Sequence, residues 1–441
     1  GEQPMKKNIW EKKALVLWIV TLFCSTTLLP VLQAESHVEY PLPPPRMVDM
    51  IVEESMFRRM SVREFTDEAV TDDELSTILW AACGCQTEGG RTIVGINNIY
   101  SGIIYVLKED AAYTYNPVNH SLVFFKEGDW RDIVGWQYKA PIQLGLCYDT
   151  NKADSLFGGA ELGQIGQNIQ CMANALDLGT VVCGQTPPAI DPLGIPENEE
   201  GIIVMPLGHL AHPYNFKNRP FWISLLPRIQ LSSLSLSETL DNLREGTSYA
   251  GNLTNQQVSQ VLWAAYGFSP YVDRSAQEKN AVKRHRTVPS AHGYYPLRMY
   301  AVTKHGVFYY QPNLFMRLQK VPVDFVGLPI LTFLVKKLSG DYRLNVAEAA
   351  ADPSVVSAPC IILIVLDIEM TRPPGKDDLS DEICRRFWYY EAGASAHNVV
   401  LEATSWNLSA AIIPPTDPLA LQSLLHLDEN FLPLFIIPVG R

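Results

Sequence analysis

Two stretches far apart in the chain share one pattern of apolar and polar positions. Thr71 to Gly84 reads TDDELSTILWAACG, and Thr254 to Gly267 reads TNQQVSQVLWAAYG. Each predicts a helix with a polar first turn and an apolar body. Thr71 with Glu74, and Thr254 with Gln257, have the spacing of a capping box, in which side chain and backbone at the helix start satisfy each other. Gly84 and Gly267 stand where a left-handed glycine commonly ends a helix.

The same patterns follow each helix in the same order. Ile103 to Leu107 and Met299 to Thr303 read as strands, and each precedes an aromatic hairpin strand and a Pro (Pro117, Pro312). Ala140–Asp149 and Ala358–Asp367 read as long apolar strands. Gly163–Gly179 and Gly393–Ser409 read as largely buried helices. Apolar strands then end on Gly208 and Gly440. An ordered series of this length indicates one fold written twice. Each half mixes strands with helices without strict βαβ alternation. That predicts α+β, with helices around a central, mostly antiparallel sheet. The expected layout is a Pro-rich lead-in at 35–46, a first domain at 47–220, a linker at 221–237 and a second domain at 238–441.

At 441 residues the chain has room for two such domains. A formal net charge of −12 argues against a general nucleic-acid binder. Residues 5–34 resemble a secretory signal peptide. Lys6, Lys7, Lys12 and Lys13 precede an apolar run from Ala14 to Leu32, and Ala34 stands before a polar start. The run is also long enough for an uncleaved membrane anchor. Export is the expectation, with membrane attachment only through this segment if it is retained. Cys83, Cys147, Cys171 and Cys360 lie inside apolar segments without metal or regular disulfide spacing, so they read as buried free thiols.

No P-loop, no GxGxxG after a strand, no HExxH helix and no GxSxG elbow occurs. The histidines are scattered and read as structural or exposed, so no metal site is expected. Arg59, Ser61 and Arg63 alternate along an extended segment, which would turn them to one side. Two guanidiniums and a hydroxyl on one face can fork onto a phosphate. A solvated basic strand beside the acidic turn Asp67–Asp73 is the alternative.

The stretch RRMSVREFTDEAVTDDELSTILWAACG, with GQNIQCMANALDLGT and DPLGIPENEEGIIVMPLGH, resembles the nitroreductase family of FMN-dependent oxidoreductases. RTVPSAHGYYPLRMYAV and RRFWYYEAGASAHNVVLEA in the second half resemble the family's azoline-oxidase-like branch. The resemblance implies two tandem domains forming an intrachain pseudo-dimer. It also implies an FMN site that takes an Arg–x–Ser–x–Arg segment from one domain and a Pro–Ser–Ala segment from the other.

The two halves complement each other in these elements. The first keeps Arg59, Ser61 and Arg63, and has RTIVGINN (Arg91–Asn98) in place of the second element. The other half keeps Pro289, Ser290 and Ala291, and has LREGTSYAG (Leu243–Gly251), with the single Arg244, in place of the first. One FMN site is therefore expected, and its eroded twin should be empty, because a buried flavin phosphate needs cationic partners.

By the same resemblance Arg63 would lie at the pyrimidine edge of the flavin and Ser290 along its ring. The chemistry would be hydride transfer through flavin N5, with a small-molecule donor, usually NAD(P)H in the family, and a small organic acceptor. No residue is singled out as a general acid. Tyr294, Tyr295, Tyr389 and Tyr390 are candidates to line the pocket. A non-catalytic flavin binder and a cofactor-free relic of the fold remain as alternatives.

Overall fold

The computed structural model describes residues 38–133, 138–184, 190–218, 222–273, 283–314, 330–370 and 380–441. The segment resembling a signal peptide, residues 5–34, lies outside the described residues. Among the described residues the first half has helices α1 (Val52–Arg58), α2 (Asp72–Cys83) and α3 (Ser155–Ala175). The described residues of the second half form α4 (Leu236–Asp241), α5 (Asn255–Tyr266), α6 (Arg343–Ala350), α7 (Asp381–Ser405) and α8 (Pro418–Leu424).

Both capping boxes form. Thr71 Oγ1 accepts from Glu74 N–H, and Glu74 Oε2 accepts from Thr71 N–H at 2.8 Å. Thr254 and Gln257 repeat the pair, the return bond at 3.0 Å. Such a cap stabilises a helix start by about 1 kcal/mol.

The terminal glycines act for a different reason than the sequence suggests. Gly84 has φ −69° and Gly267 φ −77°, so neither is left-handed. A Cβ on Gly84 would fall 2.8 Å from Trp80 Cδ1, and one on Gly267 would fall 2.2 Å from Trp263 Cδ1. Each indole lies back over its glycine and donates Nε1–H to the carbonyl just beyond, of Cys85 or of Phe268, at 2.9 Å. The glycine makes room for the tryptophan.

Each half builds one large sheet, and the two sheets have the same strand order. The first runs Glu39–Pro41, Ser121–Glu127, Ala111–Asn116, Gly102–Leu107, Ile142–Asp149, Glu199–His209, Leu178–Thr180, all antiparallel. The second runs Trp222–Ser224, Ile330–Leu338, Gly306–Gln311, Leu297–Thr303, Cys360–Asp367, Phe431–Gly440, Ser409–Ala410. Only its first pair is parallel. The Pro-rich lead-in thus supplies an edge strand to the first sheet. The connection between the halves supplies the matching strand of the second sheet.

The long apolar strands sit at the centre of each sheet because both faces are covered. All eight residues of Cys360–Asp367 are buried. Residues Glu39–Arg441 form one compact unit. The fold is α+β, with two tandem domains joined as a pseudo-dimer inside one chain. Among the described residues, no helix is long and apolar enough to cross a membrane. Of the described cysteines only Cys85 is exposed, and all are free thiols.

Candidate functional site

The site is organised by the crossing of α3 and α7. These helices meet backbone to backbone. A Cβ on Gly163 would fall 2.1 Å from the Tyr390 carbonyl oxygen, and one on Gly393 would fall 1.9 Å from that of Ala160. Only glycine permits this approach.

Asn168 of α3 and His397 of α7 bond at 2.8 Å in the crossing. Asn168 Nδ2 is committed to the carbonyl of Thr92 at 3.0 Å, which leaves its Oδ1 for His397 Nε2–H. The imidazole is therefore the Nε2–H tautomer, a reading of the hydrogen-bond network. Burial pushes His397 down to about 3, so it is neutral at ordinary pH.

From this crossing the helices hold one wall of a cavity. Gln167 of α3 donates to the Thr287 carbonyl at 2.9 Å, and Asn398 of α7 donates to the same oxygen at 3.2 Å. Thr287 is thereby pinned from both halves, and Pro289–Ser290–Ala291 follows directly. Before it, the Arg286 guanidinium sits among the rings of Tyr266, Phe268 and Tyr295, at 4.5, 4.6 and 4.2 Å from their centroids.

The opposite wall comes from the arginine segment. Met60 and Val62 are buried, and Val62 N–H donates to the Thr180 carbonyl at 2.9 Å. This extended tie to the sheet edge turns Ser61 and Arg63 the other way, into the cavity. Arg63 Nη1 reaches the Ser61 carbonyl at 3.3 Å, and its guanidinium lies 5.9 Å from the Tyr138 ring. Arg63 has no carboxylate partner among the described residues.

Arg59 is placed otherwise. It is 2 % exposed and lies behind the cavity. Its Nε–H donates to the Arg286 carbonyl at 2.9 Å, and Nη1 reaches Gln170 Oε1 at 3.3 Å. The alternation read from the sequence holds for Ser61 and Arg63. It fails at Arg59 because that residue directly follows α1, which ends at Arg58.

The cavity between these walls measures about 230 Å³. The first half contributes Ser61, Arg63, Tyr138, Val181, Val182, Cys183, Gly184 and Ile203. The second contributes Pro289, Ser290, Ala291, Phe387, Tyr390 and Glu391. Burial pushes the Cys183 thiol up to about 12, so it lines the cavity as a protonated thiol and not as a nucleophile. A smaller cavity of about 150 Å³ lies within the second half, beside Arg298, which is paired with Asp367.

A model of the family described as "Nitroreductase family" matches residues 56–209 and 250–441. The chain belongs to the nitroreductase family. It is 30% identical over 161 residues to a nitroreductase-family protein of Methanocaldococcus jannaschii, an alignment covering 32% of this chain and 81% of that protein. A solved nitroreductase-family structure from Anabaena variabilis matches with a TM-score of 0.62 at 13% identity, over 92% of this chain and 94% of the other. That likeness shows the tandem fold. A further structure, from Desulfovibrio desulfuricans and solved in complex with FMN, is 21% identical with a TM-score of 0.29, over 36% of this chain and 86% of that one.

In this nitroreductase fold the two halves differ where the cavity would repeat. Arg244 Nη1 is spent on Gln86 Oε1 at 2.6 Å and the Leu243 carbonyl at 2.7 Å. Gln86 in turn donates to the carbonyls of Leu240 and Leu243. Arg91–Thr92 corresponds to Arg286–Thr287, so Val94 stands where Pro289 stands. The Gln164 amide clasps Val94 through its N–H at 3.1 Å and its carbonyl at 3.0 Å, a bond pair Pro could not complete.

Of the pocket candidates named from the sequence the cavity takes up Tyr390, and it adds Glu391, which the sequence did not single out. Tyr294, Tyr295 and Tyr389 are not among its lining residues. Glu391 is 1 % exposed and accepts bonds from Ser290 and Tyr266. The signal for it was an acid inside the small, apolar run YYEAGASAHN.

Proposed function

We propose that this nitroreductase-family chain is an FMN-dependent oxidoreductase with one cofactor site built from both halves. The observation that carries the reading is the single cavity that brings Ser61 and Arg63 together with Pro289, Ser290 and Ala291. The chemistry of the lining fits a flat aromatic ring with an anionic tail. One side offers an uncompensated guanidinium and a hydroxyl, and the other an apolar wall of Pro289, Ala291 and Phe387.

Bound there, FMN would supply hydride transfer between a small donor and a small organic acceptor. Arg63 and Ser61 would hold the anionic groups of the cofactor. Pro289–Ser290–Ala291 would lie along the ring. Arg59 would act from behind, by fixing Arg286 and with it the second-half wall. NAD(P)H is the donor to test first.

The purified chain is expected to be yellow, and anaerobic NADH or another donor should bleach it. Arg63→Ala, and a double Pro289→Gly, Ser290→Gly variant, should each lose flavin while staying folded. A colourless protein whose melting temperature FMN leaves unmoved would sink the reading. Bound flavin that no donor reduces would instead mark a non-catalytic flavin binder.

A further inference from the structure

We propose that Glu391 is the proton-exchanging group of this cavity, acting through the Ser290 hydroxyl. The proposal rests on the flavin reading for its hydride source, and on the geometry below for everything else. Ser290 Oγ–H donates to Glu391 Oε2 at 2.6 Å, and the Tyr266 hydroxyl donates to the other carboxylate oxygen. Both Ser290 and Glu391 line the cavity.

Ser290 Oγ also accepts the Tyr295 N–H at 2.8 Å, which fixes its position. One lone pair on that oxygen remains. When Glu391 is ionised, Ser290 must point its hydrogen at the carboxylate. When Glu391 carries a proton on Oε2, it can donate to Ser290 instead, and the serine hydrogen is free to turn into the cavity. The pair is a two-position relay between a buried acid and whatever occupies the site.

The charged and titratable groups facing the carboxyl are Tyr266 from α5 and Arg286 from the strand Lys283–Arg286. Tyr390 on its own helix lines the same cavity, which Arg63 serves from the first half. Burial pushes Glu391 up to about 7, and the two hydroxyls and Arg286 hold it from rising further. A group divided between its two forms near neutral pH is well placed for acid–base work.

The corresponding residue of the first half shows what a purely structural glutamate looks like here. Asn168 and Asn398 are equivalent, which places Glu161 opposite Glu391. Glu161 is saturated by Ser101 N–H at 2.6 Å, Ser101 Oγ at 2.7 Å and Gly102 N–H at 3.0 Å. Gly95 stands in the position of Ser290, so the hydroxyl that joins Glu391 to the cavity has no counterpart there.

The balance is simple. An acceptor that takes a hydride from reduced flavin gains two electrons and one hydrogen and becomes an anion. The anion takes the Ser290 proton, Glu391 replaces it, and the carboxylate regains a proton from solvent when product leaves. In a dehydrogenation the same path runs backward, with carboxylate accepting the proton of a substrate N–H or O–H.

Three measurements on the full chain test this. Infrared difference titration of the protein between pH 5 and 9 should show a protonated-carboxyl band with a midpoint near 7. That band should vanish in Glu391→Gln and shift in Ser290→Ala. Glu391→Gln should keep the flavin absorbance of the parent, because it removes no cationic contact. With p-benzoquinone as the acceptor, re-oxidation of the reduced protein should slow by about 10²-fold in Glu391→Gln and lose its pH dependence near neutrality. Glu391→Asp should restore part of both.

No titrating carboxyl in that range overturns the proposal. So does a Glu391→Gln protein that keeps the parental pH profile. If the parent protein binds no flavin, the oxidoreductase reading fails, and the infrared midpoint still decides whether Glu391 exchanges a proton.

Discussion

Arg59 Nε lies 2.9 Å from the carbonyl oxygen of Arg286, a residue 227 positions away in the other half. The bond joins the arginine segment of the first half to the wall of the second from behind the cavity. It predicts a division of labour between neighbouring arginines. Arg59→Ala should lower stability by about 2–3 kcal/mol in urea denaturation, because it strands the Arg286 carbonyl and Gln170 in the interior. Arg63→Ala should change stability by less than about 0.5 kcal/mol and show its effect in flavin retention. The reverse pattern would reject the roles assigned here.

The eroded twin predicts a stoichiometry. Flavin released by denaturation should amount to about one per chain, by absorbance against protein concentration. Arg244→Ala should leave that figure unchanged, since its guanidinium is occupied by Gln86 and Leu243. Two flavins per chain would restore the second site.

The helix crossing predicts a steep cost for added bulk. Gly393→Val would drive side-chain atoms into the Ala160 carbonyl, where even a Cβ would sit 1.9 Å away. The α3 and α7 helices must then separate, at about 3 kcal/mol or more. A melting temperature within about 2 °C of the parent would contradict the close contact.

Acid stability should depend on His397. Its folded-state value near 3 lies below the ordinary 6.5, so the unfolded chain takes up the proton first as the pH falls. The stability tied to its neutral form is complete above about pH 6.5. It is lost at about 1.4 kcal/mol per pH unit on the way down toward 3. Glu391, raised to about 7 from 4.5, contributes the opposite slope between those values and is common to both proteins compared. His397→Gln, the residue type that the first half carries at Gln167, should flatten the decline from pH 6 to 4 in urea titrations. An unchanged slope would show that His397 protonates without cost.

The sequence by itself determined the repeat, the α+β class and the paired capping boxes, because helix caps and apolar periodicity are set by residues within a few positions of each other. It also showed which half keeps Arg59, Ser61 and Arg63 and which keeps Pro289, Ser290 and Ala291. Only the tertiary structure decided that Arg59 braces Arg286 while Ser61 and Arg63 face the cavity, that Gly84 and Gly267 yield to tryptophans, and that Glu391 meets Ser290. Each of those outcomes depends on which surfaces close over one another across the α3–α7 crossing. Burial and long-range contact, which no local pattern encodes, turn an acid in an apolar helix into the group that shares a hydrogen with the cavity wall.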